Sequence, residues 1–206
     1  MERNLKPNTI RAAARMSLAG RWNTGAAAML IFLLLLAGCV RLHALSQGLG
    51  YGVAALGMPV LLAGCQWLFL NVSSGRVVRV GDMFAPFGLP RDYFRVLMAW
   101  ALILLIVALG ALLFFIPGLI AALGYSMTFF ILRDNRDMSV AEAMEESWTM
   151  MCGHKWACFR LWMSFIGWTI LAVISVAGIL WLVPYFCTAM AEFYNRVRGY
   201  RACCLG

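Results

Sequence analysis

Two histidines, seven cysteines and nine carboxylates are the side chains from which this chain could build acid-base, nucleophilic or metal chemistry. Their spacing assembles none of the recurring sites. There is no nucleophile elbow, no H-E-x-x-H helix, no P-loop and no dinucleotide fingerprint. His43 and His154 stand far apart in sequence. The topology argued below puts them on opposite membrane faces, which rules out a shared metal site. His154 follows a helix C-terminus, where a cation is favoured by the helix dipole. Cysteines 39, 65, 152, 158, 187, 203 and 204 lie mostly within apolar runs, where a free thiol behaves as a small hydrophobe. No disulfide framework, metal or cofactor is expected.

Two polar side chains inside apolar runs remain. Glu192 is the one ionisable residue within an expected span, which makes it a functional hypothesis by default. Arg196, one turn on, or another basic group at the interface would pair with it. Gln66 interrupts an otherwise apolar stretch. It reads as an interhelical hydrogen-bonder, with a ligand contact as the alternative.

The elements that would position these residues are written in the composition. The chain has 206 residues, 63% hydrophobic and 13% charged. A soluble domain of that size lacks the polar residues for its skin, so the natural solvent is lipid. The net charge of +8 sits in the segments between apolar runs, where Lys and Arg set membrane orientation rather than bind nucleic acid.

Residues 1–23 read as a basic amphipathic surface helix. Ile10, Ala14, Leu18 and Trp22 recur at helical spacing, and Arg11, Arg15 and Arg21 face anionic headgroups. Apolar runs follow at 24–40 and 49–72; the second contains Pro59 and is either one kinked helix or a helix whose main part starts at Pro59. The uncharged stretch 96–132 divides at Ile116-Pro117-Gly118 into helices over 96–115 and 117–132. Ser139 with Glu142 forms a capping box that opens an amphipathic helix near 139–152, and Gly153 stops it. A last hairpin covers 161–176 and 180–194, bending at Ala177-Gly178. The expected fold is an all-α membrane protein, a bundle of about six transmembrane helices as three hairpins, in a single integral domain over 1–206.

The Leu36-Ala37-Gly38-Cys39 string imitates a lipoprotein cleavage site. Its basic lead is long for a signal, and the same LLAGC string recurs at 61–65, so a retained first helix is expected. The tail Cys203-Cys204-Leu205-Gly206 imitates a prenylation box with a poor final residue. With the N-terminus inside, every cation except Arg41 falls on one face, which selects cytoplasmic termini. Pro59, Pro117 and Pro184 would each stand near the start of a hairpin's second helix. That suggests a threefold repeat, although Pro is in any case frequent in membrane helices.

Pro117-Gly118, Tyr125-Ser126-Met127, Gly153-His154-Lys155, Ser164-Phe165-Ile166-Gly167-Trp168, Pro184-Tyr185 and Phe193-Tyr194 together resemble a bacterial family of integral membrane proteins. That family is catalogued as domain of unknown function nine-seven-five. The likeness covers nearly the whole chain and implies a location in the bacterial cytoplasmic membrane. The stretch EAMEESW is also similar to the non-catalytic membrane domain of some glycerophosphodiester phosphodiesterases. Neither likeness implies an activity. The reading is a non-catalytic protein that scaffolds or regulates membrane partners through the helix near 139–152. The alternative is a small transporter or binder of lipids or hydrophobic molecules. The few ionisable groups in the spans argue against an enzyme.

Overall fold

The computed structural model describes residues 5–45, 47–174 and 176–205. These form helices α1 (Pro7–Leu18), α2 (Trp22–Leu45), α3 (Gln47–Ser73), α4 (Pro90–Leu113), α5 (Phe115–Gly124), α6 (Thr128–Asp134), α7 (Val140–Met151), α8 (Lys155–Ile174) and α9 (Val176–Leu205), with a 3₁₀ segment over Val80–Phe87. Arg3, Ser46 and Gly206 lie outside the described residues.

Among the described residues, four helical segments are long and apolar enough to cross a membrane: Trp22–Ala44, Gly50–Ser73, Pro90–Leu113 and Phe115–Asp134. The protein is a multi-pass membrane protein, but the expected six spans in three hairpins are corrected to four in two. The last two helices form under different constraints. Lys155 and Arg160 occupy the first two turns of α8, which leaves 161–174, short of the ~20 apolar residues a span needs. Helix α9 carries Pro184 inside it and is charged at Glu192, Arg196, Arg198 and Arg201.

Small residues set the two spanning hairpins. A Cβ on Gly50 would come 2.4 Å from the His43 Cα, so α2 and α3 touch backbone to backbone. A Cβ on Gly118 would lie 2.7 Å from the Ala111 N, and Gly110 faces Gly118 in turn. Without a hydrophobic drive between helices in lipid, such close approach is what holds them. The α4–α5 turn is a single extended residue, Phe114. It precedes the expected Ile116-Pro117-Gly118, and Pro117 instead falls in the first turn of α5, where its missing N–H is harmless.

Pro59 and Pro184 also differ from expectation. Both lie inside continuous helices, which for Pro59 is the single-helix alternative, so the threefold Pro-headed repeat does not hold. Membrane helices tolerate such prolines because neighbouring groups re-satisfy the freed carbonyl. One turn beyond Pro184, the Thr188 hydroxyl bonds back along the helix, donating to the Pro184 carbonyl over 2.8 Å.

The core gathers around α9, which packs on α1, α2, α3 and α8. Helix α1 does not lay its apolar face in lipid. Ile10, Ala14 and Leu18 are fully buried against protein. The outer wall is the reverse: Leu104, Leu105, Leu109 and Leu112 of α4 are exposed, as a lipid-facing helix requires. Helix α7 packs across α4, α5 and α6 with Val140, Ala143, Met144, Ser147, Met150 and Met151 buried.

Candidate functional site

The fourth span is broken in its middle. Helix α5 ends at Gly124, three residues form a turn, and α6 begins at Thr128. Local sequence helps: Tyr125 (φ −94°, ψ 3°) and Met127 (φ −95°, ψ −6°) sit in the bridge region next to the helical well. The Ser126 hydroxyl donates to the Leu123 carbonyl over 2.7 Å, a local bond that competes with the helical ladder.

Neighbours then hold the break open. The Ser147 hydroxyl of α7, fully buried, donates to the Gly124 carbonyl over 2.8 Å. The Trp67 indole N–H of α3 donates to the Phe129 carbonyl over 2.9 Å. Irregular backbone at membrane depth persists only where protein or a cavity takes up its polar groups. Gly124 is required, since a Cβ there would fall 2.4 Å from the Trp148 ring. That indole also packs on Tyr125, with centroids 5.4 Å apart, and receives the Lys155 ammonium at 3.3 Å from its centroid.

Below the break, α6 is tied to two helices. Arg133 donates to Asn71 Oδ1 over 3.2 Å and lies over the Trp67 ring. The Tyr194 hydroxyl donates to Asp134 Oδ2 over 2.9 Å, and Arg198 pairs with the same oxygen. Burial first, and then the charge of Asp134, push the Tyr194 phenol above its ordinary pKa, so it remains a donor.

Beside the break is a cavity of about 230 Å³. Tyr125, Ser126 and Phe129 line it from the fourth span, Gln66 from α3, Trp162 from α8 and Phe186 from α9. No carboxylate, histidine, lysine or arginine is among its described lining residues. Gln66 Oε1 is buried there without a hydrogen-bond partner. This side chain was expected to bond between helices, and its oxygen does not. A buried amide oxygen left unpaired costs about 1–3 kcal/mol.

The other expected residues fall as follows. Ser139 and Glu142 form the capping box: the Glu142 N–H donates to Ser139 Oγ (3.3 Å), and the Ser139 N–H donates to Glu142 Oε2 (2.7 Å). Gly153 takes φ +78° and ends α7. His154 Nδ1 lies 3.1 Å from the Cys152 carbonyl. Pro184 packs against Gly25, where a Cβ would come within 3.2 Å of the proline. Gly167 faces open space. Trp168 and Tyr185 line a different cavity, near α1. Glu192 accepts from the Ser17 hydroxyl of α1 over 2.6 Å and does not line the cavity at the break. Gly124, Trp67, Ser147 and Trp148 carry the break without having been singled out. The one legible signal was Ser147, a hydroxyl on the apolar face of an amphipathic helix.

The matched motifs Tyr125-Ser126 and Lys155 thus meet at one place, the break and its Trp148 clamp. Residues 101–201 match the DUF975 family of proteins of unknown function. The DUF975 stretch covers α5–α8 and most of α4 and α9, and so contains the whole broken helix; the resemblance had been expected over nearly all of the chain. No curated protein and no solved structure matches it.

Proposed function

We propose that this is a non-catalytic membrane protein that binds a small apolar molecule, or one alkyl chain, in the cavity beside the α5–α6 break. The observation carrying this reading is Gln66: an amide oxygen held unpaired at an otherwise apolar cavity. A ligand group that donates one hydrogen bond would relieve it. The cavity volume of about 230 Å³ lies below the ~300–1,000 Å³ of drug-sized sites, which favours a slim occupant. The lack of a carboxylate or histidine among the described lining residues argues against acid-base catalysis there.

The scaffolding reading loses its main support. The apolar face of α7 is used up inside the bundle, which leaves Glu142 and Glu145 outward. The location we propose is the bacterial cytoplasmic membrane with the N-terminus inside. Lys6, Arg11, Arg15 and Arg21, then Arg76, Arg79, Arg91 and Arg95, then Arg133 and Arg136 flank the inner ends of the four spans, against Arg41 alone outside.

The test is organic extraction of the purified, detergent-exchanged protein followed by mass spectrometry. The expected result is one apolar molecule per chain, lost when Ala122→Phe fills the cavity and reduced in Gln66→Leu. Equal retention by variants that still melt cooperatively would overturn the reading.

A further inference from the structure

A second cavity, of about 390 Å³, opens between α1, α8 and α9. Arg11 and Arg15, one turn apart on α1, stand on it together with Trp22, Trp168, Trp181 and Tyr185. No carboxylate is among its described lining residues. The two guanidiniums are differently held. Arg11 Nε donates to the Tyr185 hydroxyl over 3.3 Å, and that hydroxyl donates back to the Arg11 carbonyl over 3.2 Å. The Arg11 guanidinium also lies over the Phe165 and Trp168 rings, 5.6 and 5.9 Å from their centroids. Its terminal nitrogens, and all of the Arg15 guanidinium, have no hydrogen bond or ion pair among the described residues. The site therefore presents two guanidiniums, without an ion pair among the described residues, above an apolar interior.

Its depth is set by Trp22, the first residue of the first candidate span. The Trp22 and Trp181 rings pack with centroids 5.4 Å apart. Tryptophans at a span end sit at headgroup level. A guanidinium pair at that level matches a phosphate geometrically as well as electrically.

We infer that this cavity is a binding site for one anionic phospholipid, its headgroup phosphate on Arg11 and Arg15 and the first part of an acyl chain between Trp22, Trp168 and Trp181. The site is separate from the cavity at the break and shares no lining residue with it, so either assignment can fail without the other.

The experiment is native mass spectrometry of the full chain released from detergent with equimolar phosphatidylglycerol and phosphatidylcholine. The wild-type protein is expected to retain one phosphatidylglycerol with about thirtyfold preference, on the scale of two basic residues at an anionic surface. Arg15→Gln, which removes no described contact, is expected to lower that preference about fivefold, and Arg11→Gln/Arg15→Gln to bring it to parity. Arg91→Gln/Arg136→Gln, on another surface, is expected to leave it unchanged. Equal retention of both lipids by the wild type, an unchanged preference in Arg15→Gln, or an equal loss in the Arg91/Arg136 control would each overturn the proposal. So would complete displacement of the lipid by millimolar inorganic phosphate, since the site would then read the anion without the chain.

Discussion

At the scale of the residue, the polar groups of this protein do opposite things. Gln66 is left unpaired at a cavity, whereas Ser147 and Trp67 each satisfy one carbonyl of a broken helix. Their substitutions should therefore differ in sign. Ser147→Ala leaves the Gly124 carbonyl buried and unmet, and is expected to destabilise by about 1–3 kcal/mol. Gln66→Leu removes an unpaired buried amide and is expected to be neutral or stabilising in ligand-free protein. Thermal melting in one detergent checks both. Glu142 gives a pH prediction. Its backbone and side-chain hydrogen bonds with Ser139 hold its carboxyl below the ordinary value. A depressed folded pKa gives a contribution present above the unfolded pKa and lost as pH falls through the folded one. The contribution of the capping box should therefore fade below about pH 4. The stability gap between wild type and Glu142→Gln should close over that range.

At the scale of the element, the sequence was most legible where local chemistry decides. The Ser139–Glu142 box and the Gly153 stop mark α7 within about a residue of its observed ends, because both devices act through backbone atoms close in sequence. Gly153→Ala should cost about 1 kcal/mol, since alanine pays for the left-handed conformation that glycine adopts freely. The break at 125–127 was not legible. Tyr-Ser-Met contains no strong breaker, and the Gly124 carbonyl it frees is met by Ser147 of α7, which no local window sees. The prolines misled for a related reason: a proline can start a helix or lie within one, and Pro59 and Pro184 lie within continuous helices. Gly64 gave no sequence signal, yet a Cβ there would stand 1.8 Å from the Met83 carbonyl oxygen. Gly64→Ala should push the 3₁₀ segment off α3 at a cost of about 1–3 kcal/mol, read as a lowered melting temperature.

At the scale of the whole molecule, apolar runs located the membrane segments well, and the count of spans is where hydropathy overreached. Stretches 161–176 and 180–194 resemble spans by their apolar character, but they are short, and the charges at Lys155, Arg160 and Glu192 crowd their ends. The basic lead illustrates a second limit. Its periodicity gave the right face, Ile10, Ala14 and Leu18, but a periodic pattern cannot say whether lipid or protein covers that face. Here α9 and its neighbours do. Orientation is testable through Cys152, which is exposed just after α7. An impermeant thiol reagent should label it in inverted vesicles and not in intact cells. Labelling in intact cells would reverse the proposed topology.

The claim on which these scales converge is that the mid-span break exists to make room for an apolar ligand. The most direct measurement is photo-crosslinking of the membrane-embedded protein with a diazirine-bearing alkyl probe, followed by peptide mapping. The account predicts labelling concentrated at the cavity lining, around Ala122–Phe130 and Phe186–Met190, and competed by the extracted ligand. Labelling confined to the lipid-facing leucines of α4, with none at the lining and no competition, would contradict it.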